Sequence, residues 1–291
     1  MGSPRPRRHA DLYPGGRCAG SMIHTASDLR TEYSARQISA LVQTGRLTRA
    51  GRYYLTEGTD GAVAAALRAG TRPTCRTAAK HHGLWVPPGD GQHVYARRSH
   101  SIPTGWVGHG WTHAWPESGP VASPALLLEH AGRCLDPLDV GILADSALRE
   151  GRLHTADIAA IRRTAPRAVQ RVLARASALA ESGTESKVRL FFQLARVPVR
   201  AQVRIPGVGR VDLLVGRRWI IECDSRAHHT GASVYAYDRA RDFSAVKQGY
   251  ITTRLTYGMV FGEWEETTSS LTRIVRSRQH LVDPARAVSK R

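Results

Sequence analysis

The sequence predicts an α/β multidomain protein, and three observations carry that expectation. A chain of 291 residues is long enough to bury more than one core. Helically spaced apolar residues and short strand-like runs alternate along it without any internal repeat. Breaks in composition, such as Ser182-Gly183-Thr184, separate segments of different character. The expected parts are a disordered basic arm over 1–22, a winged helix-turn-helix over 23–58, a mixed α/β connecting domain over 59–180, an α/β domain over 181–280 and a basic tail over 281–291.

Residues 1–22 hold Pro4, Pro6, Pro14, Gly15 and Gly16 among arginines and show no apolar period, the composition of an unfolded arm that can track phosphates. Thr25 can then cap one short helix and Ser34 a second, Ala35–Thr44, whose Ile38, Leu41 and Val42 recur at helical spacing; Gly45 ends it. Arg46–Arg49 and Arg52–Thr56 follow as two short strands turning at Ala50-Gly51, the shape of a wing after a helix-turn-helix. Helices are expected at Ala62–Arg68 and Thr74–His82, and loop and strand over Val86–Pro116. Several helical pieces are expected over Ser123–Arg163, where Ser123-Pro124 and Asp136-Pro137 are helix-start signals. Thr164–Ala180 predicts one further helix, with Ala165-Pro166 marking a break before it. This middle segment offers no recognisable chemistry.

With 42% hydrophobic and 23% charged residues the composition is globular, and no run approaches the roughly 18 apolar residues of a membrane span. Basic Met1–Arg8 is followed by no apolar stretch or cleavage site, so the expected location is the cytoplasm, with no membrane partner. The four cysteines, Cys18, Cys75, Cys134 and Cys223, stand singly with no CxxC pair, which argues against a zinc site and a disulfide framework. Forty-two Lys and Arg against 24 Asp and Glu give a formal charge of +18, a balance that favours a polyanion partner without identifying it.

Chemistry is concentrated near the C-terminus. Between Val188 and Tyr237 the acids are Asp212, Glu222 and Asp224, each inside an apolar strand-like run where a charge is out of place. Gly209–Val215 predicts one strand, Gly216-Arg217-Arg218 a tight turn and Trp219–Asp224 the antiparallel return. Glu222 and Asp224 then share a face, and pairing across the turn brings Asp212 towards them. Converging carboxylates repel unless a cation neutralises them. A hard divalent ion, Mg2+ or Mn2+, binds such oxygens, activates water and polarises a phosphoryl group. Arg226 and Arg241 are among the arginines expected to hold phosphate.

Before the hairpin lies an amphipathic helix, Ser182–Arg196, with Val188, Phe191, Leu194 and Ala195 available for packing; Glu185 on it can close a capping box with Ser182 or join the acids. After it come His228 and His229, either of which can serve as acid, base or ligand or stand solvated in a loop. A helix over Tyr235–Gln248 with Asp238, Arg241 and Asp242 on one face follows, then a strand over Tyr250–Thr256.

The series Glu185, Val211-Asp212, Ile221-Glu222-Cys223-Asp224, His228-His229, Asp238-Arg239-x-Arg241-Asp242, Gly249-Tyr250 and Arg254 resembles the very-short-patch-repair-like branch of the PD-(D/E)XK endonucleases over about 100 residues. The resemblance implies a restriction-endonuclease-like α-β-β-β-α-β fold. It places Asp212 and Glu222 as metal-binding carboxylates, Glu185 as the acid of the first helix and His228 or His229 as a catalytic histidine. Asp224 occupies the position of the motif's lysine, which leaves open the group that orients the water. Cys223 and Ser225 stand where the branch commonly has an aliphatic residue and Gly. Residues 23–170 resemble AbiEi-type antitoxin and transcriptional-regulator proteins through Ser34-Ala35-Arg36-Gln37-Ile38, Leu41–Leu47 and Gly51-Arg52-Tyr53-Tyr54. That resemblance implies Arg36, Gln37 and Gln43 towards the major groove and Arg46, Arg49 and Arg52 towards phosphate.

The expected function is a metal-dependent endonuclease acting on double-stranded DNA and targeted by the winged helix, in phage defence or mobile-element biology, with a homodimer among the expected assemblies. The alternative is a catalytically inactive DNA-binding repressor or antitoxin-like regulator. Acids facing DNA favour the enzyme, because a pure binder gains nothing from groups that repel phosphate.

Overall fold

The computed structural model describes residues 22–97, 102–110, 114–224 and 232–288, with the backbone alone at Asp224 and over 232–238. The described residues divide into two compact units, one within 22–81 and 91–123 and the other within 82–90 and 124–288.

The first unit opens with β1 (Ile23–Thr25), α1 (Ala26–Arg30), α2 (Ala35–Gln43), β2 (Leu47–Ala50) and β3 (Tyr53–Thr56). Both helices begin with a capping box. The Ser34 side chain accepts from the Gln37 N–H while the Gln37 side chain accepts from the Ser34 N–H, and Thr25 and Asp28 do the same for α1. Gly45, at φ +73°, supplies the left-handed turn that stops α2. The strands form an antiparallel sheet in the order β1-β3-β2. Leu29, Ile38 and Leu47 close a small core between helices and sheet. The turn lies at Gly51-Arg52, one residue later than the sequence suggests, because Gly51 accepts the φ of +58° there. α3 (Gly61–Arg68) packs Val63, Ala64 and Leu67 on Ala50, Tyr53 and Leu55. A second sheet, β4 (Arg72–Pro73), β5 (His93–Tyr95) and β6 (Val107–His109), pairs β5 antiparallel to β4 and parallel to β6, and α4 (Cys75–His81) connects its first two strands.

The second unit begins with α5 (Pro124–Ala131), α6 (Pro137–Arg149), α7 (Thr155–Thr164) and α8 (Arg167–Leu173). The expected break falls at Pro166, which cannot continue α7, but Thr164 belongs to α7 and the helix after the break, α8, stops at Leu173, short of the expected Ala180. Then come α9 (Gly183–Leu194), β7 (Val199–Ile205), β8 (Gly209–Val215), β9 (Trp219–Asp224), α10 (Ala232–Lys247) and β10 (Ile251–Thr256). The chain ends with α11 (Tyr257–Phe261), α12 (Trp264–Arg276) and α13 (Pro284–Val288). The sheet runs β10-β9-β8-β7, antiparallel except for the β10–β9 pair.

Both faces of this sheet are covered. Leu213, Val215, Trp219 and Ile221 pack with Val188 and Phe192 of α9, whereas Leu214 and Ile220 pack with Ala245 of α10. Truncating a fully buried aromatic such as Trp219 or Phe192 typically costs about 3–5 kcal/mol. No helix among the described residues is long and apolar enough to cross a membrane.

Candidate active site

The site lies where three strands lose their regular pairing at the same level. β7 and β8 pair Ala201 with Leu213 and Val203 with Val211, skipping the step at Gln202, whose φ is +53°. Between β8 and β9 the ladder stops at Leu213 and Ile221. The next row across the sheet is therefore Gln202, Asp212 and Glu222. Side chains there take over the role of ladder bonds: the Asp212 N–H donates to Glu222 Oε2 at 3.2 Å, and the Cys223 N–H donates to Asp212 Oδ2 at 2.8 Å.

Glu185 joins this row from the first turn of α9. Ser182 Oγ accepts the Glu185 N–H at 3.2 Å, which is half of the expected capping box. The other half is displaced. Glu185 Oε2 accepts the N–H of Glu181 at 3.0 Å and the Nε2–H of Gln202 at 2.7 Å. Glu185 is thus a cap and a member of the acid cluster together, only 4% exposed.

Electrostatics sets this cluster apart from surface acids. Burial raises the pKa of Glu185, Asp212 and Glu222 alike, and the charge of Asp212 raises those of Glu185 and Glu222 further. Glu222 is pushed up to about 7, even though Arg241 and Arg254 pull against the shift. Arg241 reaches this position from α10 by donating to the carbonyls of Val208 (3.0 Å) and Arg210 (2.6 Å), and its Nη2 lies 3.2 Å from Glu222 Oε1. Gly209, at φ +107°, keeps the turn below it narrow; a Cβ there would sit 3.4 Å from Arg241 Nε. Arg254, opposite Glu222 in the β10–β9 register, pairs with Asp242 at 2.8 Å.

Gln202 has no counterpart among the sequence-derived candidates. Its backbone adopts the left-handed region that side chains other than Gly, Asn and Asp rarely take. Its Nε2 serves Glu185, and its Oε1 is buried without a hydrogen-bond partner. This bare amide oxygen, beside the Glu185 and Asp212 carboxylates, is a donor that could hold a cation. The donor set of carboxylate and amide oxygens suits a hard divalent ion. Asp224 ends β9 in register with Thr256, and its side chain is outside the described residues, as are Arg226, His228 and His229.

In the first unit Arg36, Gln37 and Gln43 are exposed on α2, and Gln37 Oε1 is engaged by Ser34. Arg46 is half-buried. Arg49 and Arg52 are exposed, with Arg49 Nε donating to the Gly51 carbonyl at 3.3 Å and Arg52 Nη2 to the Tyr53 hydroxyl at 2.7 Å. No protein-family model, curated protein or solved structure matches the chain.

Proposed function

We propose that the chain is a metal-dependent endodeoxyribonuclease that hydrolyses phosphodiester bonds of double-stranded DNA at the Glu185–Gln202–Asp212–Glu222 cluster. The observation that carries this is the gathering of one buried and two half-buried acids, with Asp212 repelling both of the others, beside an amide oxygen with no partner. Burial of that kind is costly in a metal-free protein and reasonable in one that binds a cation. The order α9-β7-β8-β9-α10-β10 supports a restriction-endonuclease-like core.

Asp212 and Glu222 would hold Mg2+ or Mn2+, with Asp224 as a third acid and Gln202 Oε1 as a neutral donor. The ion supplies charge neutralisation and polarisation of the scissile phosphate. Cys223 fixes the Asp212 carboxylate through its N–H, and Arg241 steadies Glu222. Arg210 and Arg254, both exposed at this edge, attract the phosphate backbone. The β1–β3 segment with α2 is read as the winged helix that selects where cutting occurs, presenting Arg36 and Gln43 to base edges.

Purified full-length protein is expected to nick or linearise plasmid DNA with Mg2+ or Mn2+ and not in EDTA. Asp212→Asn and Glu222→Gln are expected to lower the rate by at least about 100-fold with unchanged circular dichroism. Equal cleavage by wild type and both variants would remove the assignment.

One observation favours the alternative of a catalytically inactive DNA-binding regulator. The Arg241 guanidinium already offsets part of the Glu222 charge. That reading predicts retardation of one DNA site in EDTA and no cleavage with any metal.

A further inference from the structure

The three-stranded sheet of the first unit carries a second group of donors with different chemistry. The Sγ of Cys75 and ring nitrogens of His93 and His109 lie within 4.8 Å of one another. All three side chains are buried, at 0%, 3% and 8% exposure. His93 Nδ1 faces His109 Nε2 at 3.2 Å. Two imidazole nitrogens bound to one tetrahedral zinc at about 2.0–2.1 Å are separated by about 3.3 Å, so the rings already stand at the spacing of two ligands.

The local structure places each donor. β5 and β6 pair His93 with Val107 and Tyr95 with His109, so the two histidines lie two residues apart along the parallel ladder and share a face. Cys75 is brought to them by a clamp between α4 and β5: the Thr74 N–H donates to the His93 carbonyl at 3.0 Å, and the His93 N–H donates to Thr77 Oγ1 at 2.8 Å. Cys75 itself takes φ +47°, a left-handed backbone conformation unusual for a residue with a Cβ. Strain of this kind, held by the surrounding bonds, is commonly found where a side chain has to be aimed.

We propose that Cys75, His93 and His109 are ligands of a structural zinc ion. The donor set is one thiol and two imidazoles with no carboxylate, which selects zinc over Mg2+ or Ca2+. The three residues come from α4, β5 and β6, so the ion would staple a sheet whose strands are only two and three residues long. Single cysteines with no CxxC spacing argue against zinc in the sequence. Here the fold gathers donors 16 to 34 positions apart.

Full-length protein prepared with ZnSO4 and dialysed against metal-free buffer is expected to retain one zinc per chain by elemental analysis. Cys75→Ser, His93→Asn and His109→Asn are each expected to lose most of it. Asp212→Asn, which changes only the acid cluster, is expected to keep it. Because a ligand variant can simply misfold, wild-type protein is also reconstituted with Co2+. Tetrahedral visible bands and a thiolate-to-cobalt charge-transfer band are expected, the latter absent in Cys75→Ser. Wild-type protein that binds neither zinc nor cobalt stoichiometrically, or a Cys75→Ser variant with an unchanged cobalt spectrum, would overturn the proposal. In that case the 3.2 Å contact is a hydrogen bond between the two imidazole rings.

Discussion

At the scale of single residues, Glu222 makes the sharpest prediction. Its carboxyl pKa rises from 4.5 to about 7 in the folded chain. Folding therefore favours the protonated form. The resulting contribution to stability is fully present below about pH 4.5 and is lost as pH rises through about 7, amounting to about 3 kcal/mol at most. Asp212 and Glu185 are shifted in the same direction. In EDTA, the melting temperature of wild type is expected to fall between pH 5 and pH 8 more steeply than that of Glu222→Gln. Mn2+ at pH 8 is expected to recover much of the loss, because it takes the place of the proton. Parallel pH profiles for the two proteins would contradict this. Gln202 makes a second prediction: Gln202→Leu keeps the volume but removes both the donor to Glu185 and the bare oxygen. It is expected to weaken metal activation of cleavage by about 10–100-fold, read as a higher Mn2+ concentration at half-maximal rate. The acids were legible in the sequence because a charge within an apolar run contradicts strand propensity. Gln202 was not, since a neutral amide in the run Val199–Ile205 raises no such contradiction, and its role depends on a backbone kink that has no residue signature.

At the scale of elements, the β8–β9 hairpin was readable because both strands are apolar, and Gly216 at φ +61° marks the turn between them. α2 was readable from its cap and its spacing. α9 shows the limit of that method. Helical periodicity marks Val188, Phe191, Leu194 and Ala195 as its apolar stripe, yet Val188, Leu190 and Phe192 are the fully buried ones, and Ala195 is exposed. From Gly183 to Leu190 the helix is covered on every side, so its charged residues are buried too, and a one-sided pattern cannot appear. Lys187 donates to the Val260 carbonyl at 3.1 Å with Phe261 and Trp264 beneath its ammonium. Arg189 pairs with Asp145 of α6 at 2.6 Å, with side chains 3% and 1% exposed. Burial pushes the Asp145 carboxyl upward against the pull of Arg189, so this pair is sensitive to the loss of either member. Asp145→Ala is expected to lower stability by about 3–5 kcal/mol, measured from urea unfolding midpoints. A double replacement by Leu and Met is expected to recover most of that loss, since a hydrophobic pair leaves no unpaired buried charge. A single variant with wild-type stability would mean that the pair contributes nothing.

At the scale of the whole molecule, the formal charge of +18 says only that the chain is drawn to polyanions. Specificity has to come from where the charges stand. On the proposed reading, the exposed Arg36 and Gln43 of α2 are candidates for base contacts, whereas Arg49 at the wing is a phosphate contact. These roles separate in a salt titration. Arg49→Ala is expected to weaken binding about equally on every duplex and to reduce the slope of log K against log salt by about 1, the signature of one phosphate contact. Arg36→Ala with Gln43→Ala is expected to leave cleavage of random-sequence DNA within about two-fold, since the acid cluster is untouched, while flattening the distribution of cut sites read by sequencing the cleaved ends. An unchanged distribution would remove α2 from target selection and assign the choice of site to the second unit. Loss of all cleavage in the same variant, with its fold intact, would show that DNA must be held through α2 before the carboxylates can act on it.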